Sequence, residues 1–406
     1  MTRYTLLLFL LPLAFTGCED DDDLRPTAPE LPTSYTFERN GTSTVSFSGQ
    51  SARIAMAEEL VAALLEPSTS EETLMNMFRN AGPNGEDVAP FTTAELNAET
   101  KSLRSKVAAS AERFSANATE AAAIRSDFDG WIAAQASEVF PAWDQLAAPG
   151  QPGQVADGSR VRYVNGGGLE YNQAFAKSLI GALMLDQALN NYLSPTVLDE
   201  AQNRAENDAA TPADGQVYTT MEHKWDEAYG YVFGASPDAA NPLTTLGQDD
   251  NFLNEYLGKV DEDPDFVGIG QQVFDQFLAG RAAIVTGDYV ARAAAAAELR
   301  ELLSRVIAVR AIYYLEAGAA ALETNRLGSA FHALSEAYGF IYSLQFTHNP
   351  TLSASYYDRA EVQELLDALY HNNESGFHSL DPASARQLGE RIAERFTLDY
   401  AAAATN

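Results

Sequence analysis

The fold is decided by a stretch that occurs twice: HKWDEAYGYVFG at residues 223–234 and HALSEAYGFIY at residues 332–342. Both copies read His-x-x-x-Glu-Ala-Tyr-Gly and continue with an aromatic, a β-branched aliphatic and a second aromatic residue. The chain holds only five histidines, and two of them occupy the same position of this motif. Self-similarity of this kind predicts two copies of one helical unit.

The sequence around both copies has the apolar spacing of long amphipathic helices. Prolines, glycines and capping residues mark where these helices end. The Asn40-Gly41 pair, between two runs rich in β-forming residues, predicts a hairpin, and a second small hairpin is expected within the Gly-rich loop 147–168. The spacing predicts helices over residues 51–65, 93–117, 169–193, 214–234, 288–323 and 326–346, among others.

Long helices with short connections indicate antiparallel bundles. We therefore predict an all-α protein made of two antiparallel helical bundles related by a pseudo-twofold, with a small N-terminal β-hairpin. The folded part is expected over residues 34–400, divided into repeats of about 34–248 and 249–400.

Composition excludes several classes of function. The chain has 406 residues, of which 46% are hydrophobic, as expected of a globular protein. Its net charge of −31 excludes a nucleic-acid binder, which needs a basic surface. The same charge disfavours adsorption to anionic membranes. A single cysteine excludes disulfides within the chain and thiolate metal clusters.

The N-terminus has the pattern of a secretory signal. Residues 1–17 carry Arg3 and the apolar run Leu6–Phe15, and they end at Gly17 before the only cysteine, Cys18. Gly17-Cys18 resembles the lipobox of bacterial lipoproteins, so Cys18 is the predicted lipidation site; ordinary secretion is the alternative. Residues 18–33, acidic and then proline-rich, are the predicted tether and resemble a surface-export signal. We expect an outer-membrane lipoprotein, on the periplasmic face or the cell surface, with an envelope protein as a further possible partner.

The motif suggests a metal site. A His and a Glu four residues apart lie on one face of a helix. If a twofold brings the motif helices together, two imidazoles and two carboxylates converge into a set that suits Zn²⁺ or Fe²⁺. The predicted metal ligands are His223, Asp226, Glu227, His332 and Glu336, and their predicted neighbours are Arg53, Gln173, Lys177, Tyr229 and Tyr338.

Two alternatives stay open. Each His–Glu pair can be a satisfied polar pair in a symmetric core, with Ala-Tyr-Gly providing close helix packing. Hydrolytic chemistry has less support, because neither copy is His-Glu-x-x-His and no other nucleophile motif is present. No catalytic residue is predicted.

The chain resembles the imelysin group of bacterial envelope proteins, and more closely an uncharacterised lipoprotein family related to imelysins. SGQSAR at 48–53, MEHKWDEAYGY at 221–231 and GRAAI at 280–284 carry this resemblance together with the second motif. It implies two helical bundles with the motif near their interface. Imelysins place the acid three residues after the histidine, whereas here the shared acid is at the fourth position.

Some imelysin relatives are linked to iron uptake, and the group has also been classed as metallopeptidases. The resemblance therefore implies a lipid-anchored envelope binding protein that holds an iron or zinc ion between its two repeats. A zinc-dependent peptidase and a surface interaction module without a small ligand are the alternatives.

Overall fold

Sixteen α-helices make up most of residues 32–405, the part of the chain that the computed structural model describes. Two small two-stranded antiparallel sheets accompany them. The prediction of an all-α protein with an N-terminal hairpin is therefore confirmed. The predicted signal peptide, the lipidation site Cys18 and nearly all of the tether lie outside the described residues.

The helices differ widely in length, from single turns to the long α12. Their bounds are α1 (Ser48–Ala63), α2 (Glu71–Arg79), α3 (Ala94–Asn97), α4 (Ala111–Phe114), α5 (Ala118–Ala134), α6 (Tyr171–Leu179), α7 (Pro195–Leu198), α8 (Asn203–Asp208), α9 (Thr220–Phe233), α10 (Leu253–Asp261), α11 (Ile269–Thr286), α12 (Tyr289–Glu323), α13 (Leu327–Ser343), α14 (Arg359–Leu366), α15 (Pro382–Phe396) and α16 (Tyr400–Ala403). Helix α6 continues to Tyr192 through the π-helical segments Ile180–Leu185 and Ala188–Tyr192.

The two hairpins are β1 (Glu38–Arg39) with β2 (Thr42–Ser43), and β3 (Gly153–Asp157) with β4 (Arg160–Val164). Asn40 and Gly41 join the first pair with φ of 53° and 75°. A tight turn between twisted strands requires positive φ at both central residues. Asn and Gly adopt positive φ with little conformational strain.

The motif copies lie on α9 and α13, and each packs beside a helix that runs in the same direction. Helix α1 accompanies α9, and α6 accompanies α13. Glycine makes both contacts possible. A methyl group on Gly230 would collide with the side chains of Phe47 and Gln50, and one on Gly339 would collide with Lys177 and the backbone of Ser178.

Helix α12 is the longest element, with 35 residues that span roughly 50 Å. A short turn returns the chain into α13, so the two helices are antiparallel: Leu334 packs over Gly318, and Phe340 stacks on Tyr314. Helices α11 and α15 also pack against α12. The second motif is therefore backed by the most extensive helix packing in the described chain.

The predicted helix over 93–117 is wrong. Only the single turns α3 and α4 and the 3₁₀ turn Arg104–Lys106 form within that range. Ala108 adopts φ of 47°, and the backbone N–H groups of Ala109 and Ser110 donate to the buried carboxylate of Asp186 at 3.1 and 3.0 Å. These contacts with the α6 region replace the helical hydrogen bonds.

The motif helix predicted over 214–234 begins later, at Thr220, because Thr219 and Glu222 form a reciprocal capping box. The apolar core is shared by both predicted repeats, since α6 packs against α13 and α9 against α11. The division into two repeats stays a prediction. Within residues 32–405, every helix is too short or too polar to span a membrane.

Candidate functional site

In the first motif copy, neighbouring residues contact both the histidine and the glutamate. His223 Nδ1 lies 3.0 Å from the carbonyl oxygen of Ser46, and its Nε2 lies 3.9 Å from Oε2 of Glu227. Glu227 accepts hydrogen bonds from Lys224 Nζ at 2.9 Å and from Gln50 Nε2 at 3.1 Å. Burial opposes ionisation of Glu227, but Lys224, His223 and Gln50 outweigh it and lower its pKa.

Asp226 belongs to a separate, buried network. Its carboxylate accepts from Arg281 Nε at 3.0 Å and from the Tyr35 hydroxyl at 2.8 Å. The Arg281 guanidinium also donates to Glu222 at 3.1 Å and to Thr44 at 3.0 Å. This network joins the N-terminal hairpin to α9 and α11. Asp226 therefore supports the fold: Arg281 and Tyr35 both donate to its Oδ1, and the backbone N–H of Ser46 donates to its Oδ2 at 3.2 Å.

The second copy has a different surrounding. His332 Nδ1 lies 2.6 Å from Oε2 of Glu170, and its Nε2 lies 3.8 Å from Oε2 of Glu336. Glu336 accepts from the Tyr256 hydroxyl at 3.0 Å, and Lys177 Nζ lies 3.5 Å away. Burial would raise the pKa of Glu336, but the charges of Lys177 and His332 keep it lowered.

A cavity of about 740 Å³ adjoins this second copy. Its walls come from α1, α6, α10, α12, α13 and β4, and both His332 and Glu336 face it. The volume lies in the range of small-molecule sites in proteins. His223 and Glu227 do not line it.

Two residues that line the cavity, Asn172 and Gln173, each carry an amide oxygen without a protein partner. Oδ1 of Asn172 and Oε1 of Gln173 are buried, and neither accepts a hydrogen bond from any residue in 32–405. Asn172 is only 2% exposed. Buried polar atoms in folded proteins are nearly always paired. Both oxygens are closed to solvent, so a bound molecule reaches them only after the amide side chains turn toward the cavity.

Cations are concentrated in the cavity. Five of the chain's 26 lysines and arginines line it, against four of its 57 aspartates and glutamates. Three of these cations lie over one ring, that of Tyr256: Lys177 and Lys259 at 4.7 Å and Arg310 at 5.7 Å from its centroid.

The predicted site residues thus fall into separate groups. Gln173, Lys177, His332 and Glu336 share the cavity. His223 and Glu227 pair beside α1, where Arg53 donates to the carbonyl oxygens of Gly49 and Ser102. The remaining predicted neighbours lie outside both groups. The ring of Tyr229 stacks on Tyr35, and the hydroxyl of Tyr338 forms a hydrogen bond with His371.

The predicted metal site has limited geometric support. Among residues 32–405, no three His, Cys, Asp or Glu side chains are close enough together to hold a metal ion. A lysine also accompanies each motif carboxylate, Lys224 at Glu227 and Lys177 at Glu336. A divalent cation would have to compete with these ammonium groups. The metal site stays a prediction.

Sequence reasoning missed several residues of the second site. Glu170, Asn172, Tyr256 and Arg310 come from three helical elements distant in sequence from the motif, so no local pattern connects them to it. Lys224, by contrast, stands three residues before Glu227, a spacing that predicts a side-chain pair on a helix.

Comparison with known proteins gives one match. A family model described as a domain of unknown function, DUF4856, matches residues 32–399, nearly the whole described chain. No curated protein and no solved structure matches the sequence.

Proposed function

We propose that this chain, which belongs to the DUF4856 family of domains of unknown function, is a lipid-anchored binding protein of the cell envelope. Its ligand is a small polar molecule held in the cavity beside the second motif helix. The observation that carries the proposal is the cavity itself, which is lined by the second motif copy and by two residues, Asn172 and Gln173, whose amide oxygens lack a protein partner.

A ligand would give these amides the partners that they lack within residues 32–405. Leaving a buried polar atom without a hydrogen bond costs about 1–3 kcal/mol. Two adjacent residues, both on the first turn of α6, carry that penalty at the same cavity. A molecule with hydroxyl or amide hydrogens would satisfy both oxygens once the two side chains turn toward the cavity, and this would recover the energy on binding.

The histidine of the second copy is oriented toward the same space. Glu170, buried and 2.6 Å from His332 Nδ1, holds one edge of the ring. This leaves Nε2 on the edge nearer Glu336 and the cavity. A ring fixed in this way presents a defined polar group to a ligand at little entropic cost.

The anchor is the part of the proposal that rests on sequence alone. Cys18 lies outside the described residues and is the predicted lipidation site. We expect Cys18→Ala to move the protein from the membrane fraction to the soluble periplasmic fraction, because the lipid is the proposed attachment. Membrane retention of this variant would contradict the proposal.

The test of ligand binding compares Asn172→Leu with wild type. Both proteins are equilibrated with a small-molecule extract of the envelope and analysed by native mass spectrometry. We expect a bound mass on wild type that is absent from Asn172→Leu. The apo variant should unfold at the same temperature as wild type or higher, because it loses an unsatisfied group.

Asn241→Leu is the matched control, since Asn241 is exposed and does not line the cavity. It should retain the bound mass. A bound mass that persists on Asn172→Leu would place the ligand elsewhere and refute the proposal.

A metal ion is the second candidate ligand. The observation that favours it is a distance that is nearly the same in both copies. His Nε2 lies 3.9 Å from Glu Oε2 in the first copy and 3.8 Å from it in the second. One ion bound to both atoms at about 2.0–2.2 Å could span that gap. Elemental analysis of wild type, His223→Gln and His332→Gln tests this candidate. A zinc peptidase would in addition cleave unfolded protein until a chelator is added.

A further inference from the structure

We propose that the free edge of strand β4 binds an extended segment of a partner protein, which adds to the β3–β4 hairpin as a further strand. The segment carries apolar side chains opposite Val161 and Tyr163 and an acidic side chain opposite Arg160. This interaction surface is separate from the proposed small-molecule site, and its test does not depend on a ligand in the cavity.

The two edges of the hairpin differ. The outer edge of β3 is covered, because Gln154 donates its backbone N–H to the carbonyl oxygen of Gln145 at 2.7 Å and accepts from the N–H of Ala147 at 3.0 Å. Strand β4 pairs with β3 alone, and no backbone hydrogen bond joins residues 160–164 to another element of the described chain. An edge of this kind is a template for a further strand.

Val161 and Tyr163 present their backbone groups to this open edge. In an antiparallel pair, successive residues alternate between bonding to the partner strand and pointing away from it. The two-residue turn at 158–159 makes Arg160 the first residue that bonds back to β3, so Val161 and Tyr163 point outward. Gln154 agrees with this register, since it lies opposite Tyr163 and directs its N–H and C=O to the other edge.

The side chains of β4 alternate in character. Val161 and Tyr163 lie on one face of the hairpin, and Arg160 and Arg162 lie on the other. On the first face Val161 is 44% exposed, and Leu146, which is bridged to β3, is 80% exposed. An added strand with apolar side chains on this face would continue the apolar surface and remove Val161 from water.

The charge of the hairpin favours an acidic segment. Residues 153–164 contain two arginines and one aspartate, in a chain whose net charge is −31. Arg162 is already paired with Asp157 at 2.7 Å, whereas Arg160 is exposed and forms no ion pair within residues 32–405. Cross-strand pairs of opposite charge stabilise a sheet. An acidic residue opposite Arg160 therefore gives this arginine the partner that the hairpin does not supply.

The same charges disfavour a second copy of this chain as the occupant. Two β4 strands paired antiparallel about Arg162 would place Arg162 opposite itself. Pairing about Val161 would place Arg160 opposite Arg162. Like charges directly opposite each other destabilise a sheet. We therefore assign the edge to a different protein.

The test is binding of the peptide acetyl-Thr-Val-Thr-Val-Glu-Thr-amide to the full-length protein, measured by fluorescence anisotropy of the labelled peptide. Antiparallel to β4, its valines lie opposite Tyr163 and Val161, and its glutamate lies opposite Arg160. We expect this peptide to bind, and the same peptide with lysine in place of glutamate to bind about 3- to 30-fold more weakly. Raising the salt concentration should reduce this difference.

N-methylation of the peptide reports whether it adds as a strand. Methyl groups on the two valine amides remove the N–H groups that face Tyr163 and Val161, so binding should fall about 10-fold or more. Methyl groups on the glutamate amide and on the threonine between the valines point away from β4, so this control peptide should bind as the unmodified one does. Equal binding of the two methylated peptides would overturn the strand addition.

Two variants test the protein side. Val161→Pro removes an outward N–H and no bond to β3, so it should abolish peptide binding and leave the unfolding temperature nearly unchanged. Arg160→Glu, at an exposed position, should weaken binding of the glutamate peptide and strengthen that of the lysine peptide. Arg305→Glu, a charge reversal on α12, is the matched control and should change neither. If Val161→Pro impairs folding, Arg160→Glu and the methylated peptides still decide.

The outcomes keep this inference apart from the small-molecule proposal. Asn172→Leu should bind the glutamate peptide as wild type does, whether or not envelope extract yields a bound mass. Failure of the glutamate peptide to bind at millimolar concentration overturns the inference, and so does equal binding by wild type and Arg160→Glu. Concentration-dependent dimerisation that Val161→Pro abolishes would assign the edge to a second copy and overturn the proposed partner.

Discussion

The two motif copies share a histidine and a glutamate at the same spacing, but their neighbours differ. In the first copy Lys224 and Gln50 both donate to Glu227. The second copy has Ala333 where the first has Lys224, and its glutamate receives the more distant Lys177 at 3.5 Å. The cavity of about 740 Å³ is lined by the histidine and glutamate of the second copy and by neither of those of the first. The variable motif positions, together with residues outside the motif, thus give the two copies different surroundings.

The two motif copies also differ at Asp226, which corresponds to Ser335 in the second copy. Asp226 anchors the buried Arg281 network, whereas the Ser335 hydroxyl accepts from the backbone N–H of Glu170 at 2.9 Å. One copy is therefore built into an ionic core, and the other positions the carboxylate that holds His332. The duplicated unit thus has a structural half, built into the ionic core, and a half that faces the cavity.

The largest expected effect is on the structural half. Arg281→Met should lower the free energy of unfolding by about 3–5 kcal/mol, because Asp226 would remain buried without a cation and Glu222 would keep only Arg39. Chemical denaturation measures this. Arg305→Gln, which breaks an exposed pair, should cost less than about 1 kcal/mol. Similar losses in the two variants would show that the network does not stabilise the first copy.

An intermediate effect comes from the two close helix contacts. Gly230→Ala and Gly339→Ala should each destabilise the protein by about 1–3 kcal/mol, because the added methyl group overlaps the neighbouring helix. Only Gly339→Ala should also weaken ligand binding, since it displaces Lys177. Thermal unfolding and calorimetry measure both effects.

Gly130→Ala is the matched control for these changes. Gly130 lies within α5 with no atom within 4 Å of the added methyl group, so alanine should stabilise the protein by about 0.4–1 kcal/mol. If Gly230→Ala weakened binding as much as Gly339→Ala, the two copies would not be functionally distinct.

The smallest expected effect is a pH dependence of the first copy. Burial, followed by the charge of Lys224, lowers the pKa of His223, although Glu227 opposes this. The unfolded chain therefore binds a proton near pH 6.5 that the folded chain binds only at lower pH. Stability should fall as pH decreases below about 6.5, and this part of the slope should be absent from His223→Gln.

Unfolding free energies measured between pH 5 and 7.5 for both proteins isolate the contribution of His223 from those of the other histidines. Parallel curves for wild type and His223→Gln would contradict the lowered pKa. The same comparison for His332→Gln shows whether the second copy behaves differently.

Much of the fold could be predicted from the sequence because its signals are local. The Asn40-Gly41 turn and the apolar spacing of α12 and α13 each depend on neighbouring residues only. The helix predicted over 93–117 failed because a residue far along the chain, Asp186, captures the backbone N–H groups of Ala109 and Ser110. No pattern within that segment reports such a partner.

The candidate site was predictable in part for the same reason. The pairing of His332 with Glu336 follows from helical spacing, and Lys177 was a predicted neighbour of the acids. Glu170 and Tyr256, which hold His332 and Glu336, are 162 and 80 residues away in sequence. Only the packing of α6 and α10 around α13 brings them together.

The bonds between the N-terminal hairpin and the Arg281 network also constrain the order of folding. Thr44 and Arg281 are 237 residues apart, and Tyr35 and Asp226 are 191 apart. The hairpin emerges first from the ribosome, yet its buried partners cannot exist until α11 has been made. Closing loops of this length is slow compared with forming the local α12–α13 pair. A nascent chain must therefore keep residues 35–46 undocked until most of the protein has been synthesised.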